Sequence, residues 1–400
     1  MAYGVPAVGE VHCDQGDARR VGTGQFVRIG LAVSLVALLV GSIQFARYDW
    51  TGIRFQRAPD DIDRTISPEC HELIRPFETS TGRIIAPAGI DEQQYLSMME
   101  QFRGATELQV ECFYEPFTLR AAVPWMASLL PFEDALSLGL VNTAFLLLGT
   151  WLVLAALVVQ GFSARVVLVV GLLLSANWVV FAFGTSLLIE SAPFAVVALC
   201  WLLISLRRWW WVVPAVAVGV VLKETAVLAL PALWVALLPG SARPGPWPRR
   251  LLPAAVATAA ALVAYVVRAG IGPEADAAWP TGIDLSLLSF NLGIPGLVVL
   301  LAGLAPLLVP GALWFRHRVK EVGWVEAVLD PAVVGVLGGL GLLGWIMITA
   351  DLSPRFFWPC FPFAATLCAR WWAEGRPAEA LDGAPIPAAL VGHPLADTRP

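Results

Sequence analysis

A few ionisable residues stand out in this chain, and their types belong to acid–base and anion-binding chemistry. Asp91-Glu92-x-x-Tyr95 sets a carboxylate one helical turn before an aromatic hydroxyl, and Tyr95, Met98, Met99 and Phe102 continue that spacing as one apolar stripe. Asp91 thus shares the packed face of a helix, where a carboxylate beside a membrane surface can act as a general base, with Glu92 as the second candidate. A plainer reading stands beside it: Asp91 and Gln94 have the spacing of a capping box, in which Asp91 only caps the helix. Arg120 lies in the apolar stretch Phe117–Leu130, which reads as an amphipathic helix on a leaflet surface. There it either faces a lipid phosphate or snorkels to the headgroups. Glu190, Lys223, Glu224, Arg268, Asp351 and Arg355 fall at the ends of apolar runs, where charges are costly and are functional candidates by default. The cations among them suit a phosphate or pyrophosphate, Arg through two parallel bonds. The alternative is that Lys223–Glu224 and Asp351–Arg355 only anchor helix ends at the interface.

The elements that must position these residues are membrane spans. The 400 residues are 58% hydrophobic and 14% charged, with a mean hydropathy of +0.71 and a net charge of −5. A soluble fold carries about 25% charged residues, so this chain lacks the polar surface to cover one, and disorder is excluded for most of its length. With no basic stripe, no nucleic-acid partner is expected. The apolar runs are continuous rather than alternating, which excludes a β-barrel. Only Lys223 and Lys320 among the 26 basic residues are lysines, and Ala, Val, Leu, Gly, Pro and Trp abound, a bias that resembles a high-GC bacterial genome such as an actinobacterial one.

At about 20 apolar residues per crossing, the spans are Ile29–Ala46, Leu136–Val159, Val166–Phe183, Leu187–Leu206, Trp209–Leu222, Thr225–Leu238, Leu251–Val267, Phe290–Phe315, Ala332–Ala350 and Phe356–Ala369. The sequence thus predicts an all-α polytopic membrane protein of about ten transmembrane helices. Residues 1–28 form an N-terminal cytoplasmic tail, 29–46 an uncleaved first helix, 47–135 a large first external loop with interfacial helices, 136–369 a bundle of about nine helices, and 370–400 a disordered cytoplasmic tail. Trp209–Leu238 is either one helix interrupted by Lys223-Glu224 or two short ones. Two place Arg207/Arg208, Arg243/Arg249/Arg250 and Arg316/Arg318/Lys320 on the side of the N-terminus, as the positive-inside rule requires. Both termini are then cytoplasmic, in a multi-pass plasma (inner) membrane protein. The tryptophans 209–211 and 371–372 read as an interfacial belt.

The external loop is acidic: Arg47–Asp134 holds 15 of the 31 acidic and 8 of the 26 basic residues. Cys70 and Cys112 are its only cysteines and lie on the oxidising side, so they are expected to form a disulfide, with two free thiols as the alternative. No cysteine spacing fits zinc or a CxxC redox pair.

The series of features resembles the polyprenyl-phosphate-sugar-dependent glycosyltransferases of the GT-C superfamily, its mannosyltransferases in particular. One span precedes a large external loop with an Asp91-Glu92-x-x-Tyr95 element and an interfacial Arg-Pro segment. Ser186-Leu187-Leu188-Ile189-Glu190-Ser191-Ala192-Pro193-Phe194 looks like the E-x-x-x-F start of an outer span. Val221-Leu222-Lys223-Glu224-Thr225-Ala226 with Leu230-Pro231 resembles a short helical pair with Lys at the outer turn. Asp351-Leu352-Ser353-Pro354-Arg355-Phe356-Phe357 with Pro359 and Pro362 resembles a late Arg-aromatic-Pro element. Ile90 stands before Asp91 where the family often has an aromatic. The resemblance implies inverting transfer of a sugar from a polyprenyl-phosphate donor to an acceptor hydroxyl on a glycan, lipid or protein, in a cell-envelope setting. It makes Asp91 the base, with Glu92 second; Lys223, Arg120 and Arg355 stabilise the departing phosphate, and Tyr95, Glu190, Glu224 and Asp351 shape the pocket. No cofactor is implied, and a divalent metal is left open because branches of the superfamily differ. A lipid-carrier flippase or transporter and a non-catalytic membrane scaffold keeping the fold are the competing readings. Against the transporter stand the lack of an internal repeat and the gathering of charges at one face.

Overall fold

In a bilayer every backbone N–H and C=O must be satisfied within the chain, so long apolar runs become helices. The computed structural model describes residues 21–50, 77–78, 84–85, 90–106, 113–184, 187–238, 247–275, 277–278, 283, 285, 288, 291–349 and 353–374, and it is mostly helical. The helices are α1 (Thr23–Trp50), α2 (Ile90–Phe102), α3 (Ala122–Ser128), α4 (Asp134–Val159), α5 (Ala164–Ser175), α6 (Trp178–Phe183) and α7 (Ser191–Ser205). They continue as α8 (Trp209–Leu222), α9 (Ala229–Ala236), α10 (Trp247–Arg268), α11 (Ile294–Val322), α12 (Trp324–Val328), α13 (Pro331–Thr349) and α14 (Phe361–Glu374). Thr118–Arg120, Glu224–Leu228 and Pro354–Cys360 are tighter 3-10 turns. Among the described residues, five segments are long and apolar enough to cross a membrane: Thr23–Ser42, Asp134–Val159, Arg249–Arg268, Gly296–Val322 and Pro331–Thr349. Ala164–Ser175, Ser191–Ser205, Trp209–Leu222 and Glu224–Ala236 are shorter apolar helices.

Two poles follow from the polar contacts between helix ends. At one, the Gln160 amide donates to Ser205 Oγ at 3.0 Å, Arg370 pairs with Asp330 at 2.6 Å, and Trp314 Nε1 donates to Glu374 at 2.8 Å. These join the last turns of α4 and α7, and the end of α14 to α11 and the start of α13. At the other pole, Asn291 donates to the Met347 carbonyl at 3.0 Å, and Arg268 at the end of α10 meets Glu224 just after α8. The loop helices belong to this second pole. There Arg103, just past α2, pairs with Asp134 at 2.5 Å and donates to the Ser128 and Leu130 carbonyls.

Several expected boundaries are shifted, each for a local reason. The Val166–Phe183 run divides into α5 and α6, because Asn177 caps the second piece by accepting from the Val179 N–H and also donates to the Gly303 carbonyl at 2.7 Å. Trp209–Leu238 is two short helices separated by an extended Lys223. The expected start of the last span, Phe356, lies in the Pro354–Cys360 turn, where prolines favour a tight coil. α11 runs on through Arg316–Lys320 to Gly323, whose φ of +88° a residue with a side chain rarely adopts. The Phe117–Leu130 stretch is a 3-10 turn followed by the short α3. The all-α expectation is also modified: β1 (Phe77–Glu78) pairs antiparallel with β2 (Ile84–Ile85), and β3 (Tyr114–Glu115) pairs parallel with β4 (Ala277–Ala278). The second pair ties the loop helices to the segment after α10. The expected Cys70–Cys112 disulfide lies outside the described residues, as does Asp351.

Lipid tails are as apolar as leucine, so helices in a membrane associate through close packing rather than hydrophobic exclusion. α4 packs along α7, α10 along α8 and α11 along α14. Gly149 on α4 makes the first contact close: a Cβ there would lie 2.5 Å from the Phe194 ring and 3.0 Å from the Ala195 Cα. Phe194 in turn stacks on Trp358, with centroids 5.4 Å apart and planes at 22°. Gly149→Ala is expected to overpack this column and cost about 1–3 kcal/mol, read as a lowered thermal midpoint of the purified chain in detergent.

Candidate functional site

α2 positions Asp91. The helix begins at Ile90, so Asp91 sits inside its first turn, where its charge favours the helix N-terminus. The capping-box reading is not what forms: the carboxylate pairs with Arg355, and Gln94 Oε1 accepts from the Tyr114 N–H at 3.1 Å. Nor is only one stripe of α2 packed. Tyr95, Met98 and Met99 are buried as expected, and Glu92, Gln93, Gln94 and Ser97 are buried too.

The turn before α14 brings Arg355 to meet it. Pro354 and Pro359 shape the turn, and Ser353 caps it by accepting from the Arg355 N–H. The Phe194–Trp358 stack fixes this turn against α7, with Glu190 one helical turn before Phe194 and Arg355 one turn before Trp358. Arg355 Nη2 donates to Asp91 Oδ2 at 3.0 Å, although 264 positions separate them, and its Nε lies 3.8 Å from Glu190 Oε1. Its plane also covers Phe356 at 5.0 Å. Lys223 Nζ donates to the same Glu190 oxygen at 2.6 Å, and both side chains are buried, with 2% and 4% of their surface exposed.

The Lys223 backbone is extended, which ends α8 and starts the Glu224–Leu228 turn. Such unwound backbone inside a membrane is tolerated where protein surrounds it. Beside Lys223, Glu224 takes two guanidinium groups at once. Arg120 donates to both of its oxygens, through Nε at 3.2 Å and through Nη2, while Arg268 Nη1 donates at 2.9 Å and also reaches the Val220 carbonyl at 3.3 Å. Arg120 thus turns inward, away from both roles at the lipid surface that the sequence offers it. It lies over the Phe117 ring at 5.6 Å and interacts with the Tyr95 hydroxyl. Burial pushes the Tyr95 hydroxyl above its ordinary pKa against the pull of Arg120, so it stays neutral. Burial disfavours the charged Arg355, but Asp91 and Glu190 outweigh it and raise its pKa further.

The structure therefore brings Asp91, Tyr95, Arg120, Glu190, Lys223, Glu224 and Arg355 into one connected cluster at the second pole. Glu92 is buried on α2. Arg268, which the sequence groups with the other charges at span ends as a functional candidate, also belongs to the cluster. The signal was a lone arginine closing an apolar span, which is costly without a buried partner. The cluster has two depths: Glu190, Lys223 and Arg268 are almost wholly enclosed, whereas Asp91, Arg355, Glu224 and Arg120 form a partly open rim. Among the described residues joined by these ion pairs, four cations face three carboxylates. Such a set can hold an oxyanion beside a carboxylate able to accept a proton. Among the described residues no group of three or more His, Cys, Asp or Glu is placed to hold a metal ion.

No family model matches the chain, and neither does a curated protein or a solved structure.

Proposed function

We propose that the chain is an integral membrane glycosyltransferase of the GT-C type, transferring a sugar from a polyprenyl-phosphate donor to an acceptor hydroxyl at the outer face of the membrane. The observation that carries this reading is the meeting of Asp91, from the loop after α1, with Arg355, Lys223, Arg120 and Arg268, from four other elements, at a single pole. The polar contacts between helix ends support ten crossings, with α5 and α6 acting as one and with α8 and α9 as two. Arg207, Arg208, Arg249, Arg250, Arg316, Arg318 and Lys320 then lie at the opposite pole, which makes that pole cytoplasmic and the cluster external.

In the proposed reaction an acceptor oxygen attacks the anomeric carbon and the bond from that carbon to the phosphate oxygen breaks. Asp91 takes the proton of the attacking hydroxyl, and the phosphate leaves with the electron pair. Arg355, with Arg120 and Lys223 behind it, stabilises the negative charge that develops on the leaving oxygen. Tyr95, neutral and held beside Arg120, and Glu190, held beside Lys223, keep these cations in place. Acceptors are glycan, lipid or protein hydroxyls that reach the outer surface.

The test is a reconstitution of the purified chain in vesicles containing polyprenyl-phosphate sugars with a radiolabel in the sugar, supplied with a cell-envelope extract as the source of acceptor hydroxyls. The expected result is label in a new glycosidic bond and free polyprenyl phosphate. Label that crosses the bilayer still attached to its carrier would identify a flippase instead. Label that does neither would leave only the scaffold reading.

A further inference from the structure

The four cations of the cluster are not equally able to receive a ligand. Lys223 is enclosed with Glu190, and Arg268 is enclosed with Glu224 and the Val220 carbonyl. Arg120 holds both oxygens of Glu224. The first two pairings are buried on at least one side, and opening either strands a charge away from water; Arg120 shares the rim, but its Nε and Nη2 are both taken by Glu224. Arg355 differs. Its main pairing, with Asp91, lies in the rim, where the two side chains keep 20% and 23% of their surface exposed. Among the described residues, its buried Nε has no hydrogen-bond partner, and neither does Oε2 of the adjacent Glu190. A guanidinium prefers to bind an oxyanion through two parallel N–H groups, and here one N–H is already free.

We infer that Arg355 is the anion-receiving residue of the site, and that Asp91 is the counter-ion a phosphate monoester or diester displaces. The incoming phosphate takes Nη2 and the free Nε together. Asp91 gives up its pairing and turns its freed oxygen toward the acceptor. Glu190, held by Lys223, stays behind Arg355 and keeps its stem in place. One exchange therefore couples arrival of the donor to release of the base, so Asp91 is disengaged from Arg355 only when a phosphate is present. The inference rests on the proposed transferase reading and adds an order of events to it.

The experiment titrates the purified full chain in detergent with a C15 prenyl monophosphate, with inorganic phosphate and with the matching prenyl alcohol, following the shift of the thermal midpoint. Binding of the prenyl phosphate and of inorganic phosphate is expected, tighter for the lipid, with none for the alcohol. Preference for the lipid over inorganic phosphate marks a headgroup site, and equal binding marks a free-phosphate site. Asp91→Asn removes the competing charge and is expected to tighten phosphate binding by about threefold or more, while Arg355→Lys, which keeps the charge and spares the fold, weakens it by about tenfold or more. A wild-type chain that binds, with Asp91→Asn binding unchanged or weaker, overturns the exchange and leaves the transferase reading standing. A wild-type chain that binds neither phosphate overturns both.

Discussion

Asp91→Asn is expected to reduce sugar transfer by about 10²–10⁴-fold, the usual contribution of a positioned general base, while the chain still inserts, purifies and binds the donor. The fold should survive because Asp91 sits in the rim of the cluster and an asparagine oxygen can still accept from Arg355. The pairing is partly open to water, so weakening it costs less than breaking the enclosed Lys223–Glu190 pair. The single change thus separates chemistry from folding. It is measured as initial rates of transfer beside the thermal midpoint of the same preparation. Full activity in this variant removes Asp91 from the base role.

Lys223→Ala is expected to be the most damaging single change to the fold. It leaves Glu190 enclosed, with one oxygen lacking a hydrogen bond among the described residues and Arg355, at 3.8 Å, to balance the other. Removing one partner of a buried ion pair costs about 3–5 kcal/mol, whereas replacing both with uncharged groups of similar size is often neutral. The double variant Lys223→Met with Glu190→Gln should therefore be more stable than Lys223→Ala alone. Unfolding midpoints of the three proteins in one detergent decide this. If Lys223→Ala unfolds with the wild type, the pair is not the buried strut described here.

Much of the bundle is legible in the sequence because membrane spans are written as continuous apolar runs, and the gathering of Lys223 and Arg355 at one pole follows from the cost of charge at span ends, whereas their pairing with Glu190 and Asp91 does not. The interruptions are harder to read. The break between α5 and α6 depends on Asn177, whose side chain caps one helix and bonds to another, α11, far along the chain. The inward turn of Arg120 depends on Glu224, 104 positions away, so a local reading of an amphipathic stretch sends it to the lipid surface. Local spacing also favours a cap for Asp91, because the capping box needs only four adjacent residues while the Arg355 pairing needs the whole bundle assembled. Arg268 marks the same limit from the other direction: its position at the end of an apolar run is visible, but its partner is not.

The central claim is that one carboxylate, Asp91, acts as base in a single displacement at the anomeric carbon. The most direct measurement is the anomeric configuration of the product, read by nuclear magnetic resonance after transfer from a donor of defined configuration. Single displacement with Asp91 as base predicts inversion: a β-linked donor yields an α-linked product. A product with the donor's own configuration would require a covalent sugar–enzyme intermediate or an internal return mechanism, and would contradict the role assigned to Asp91.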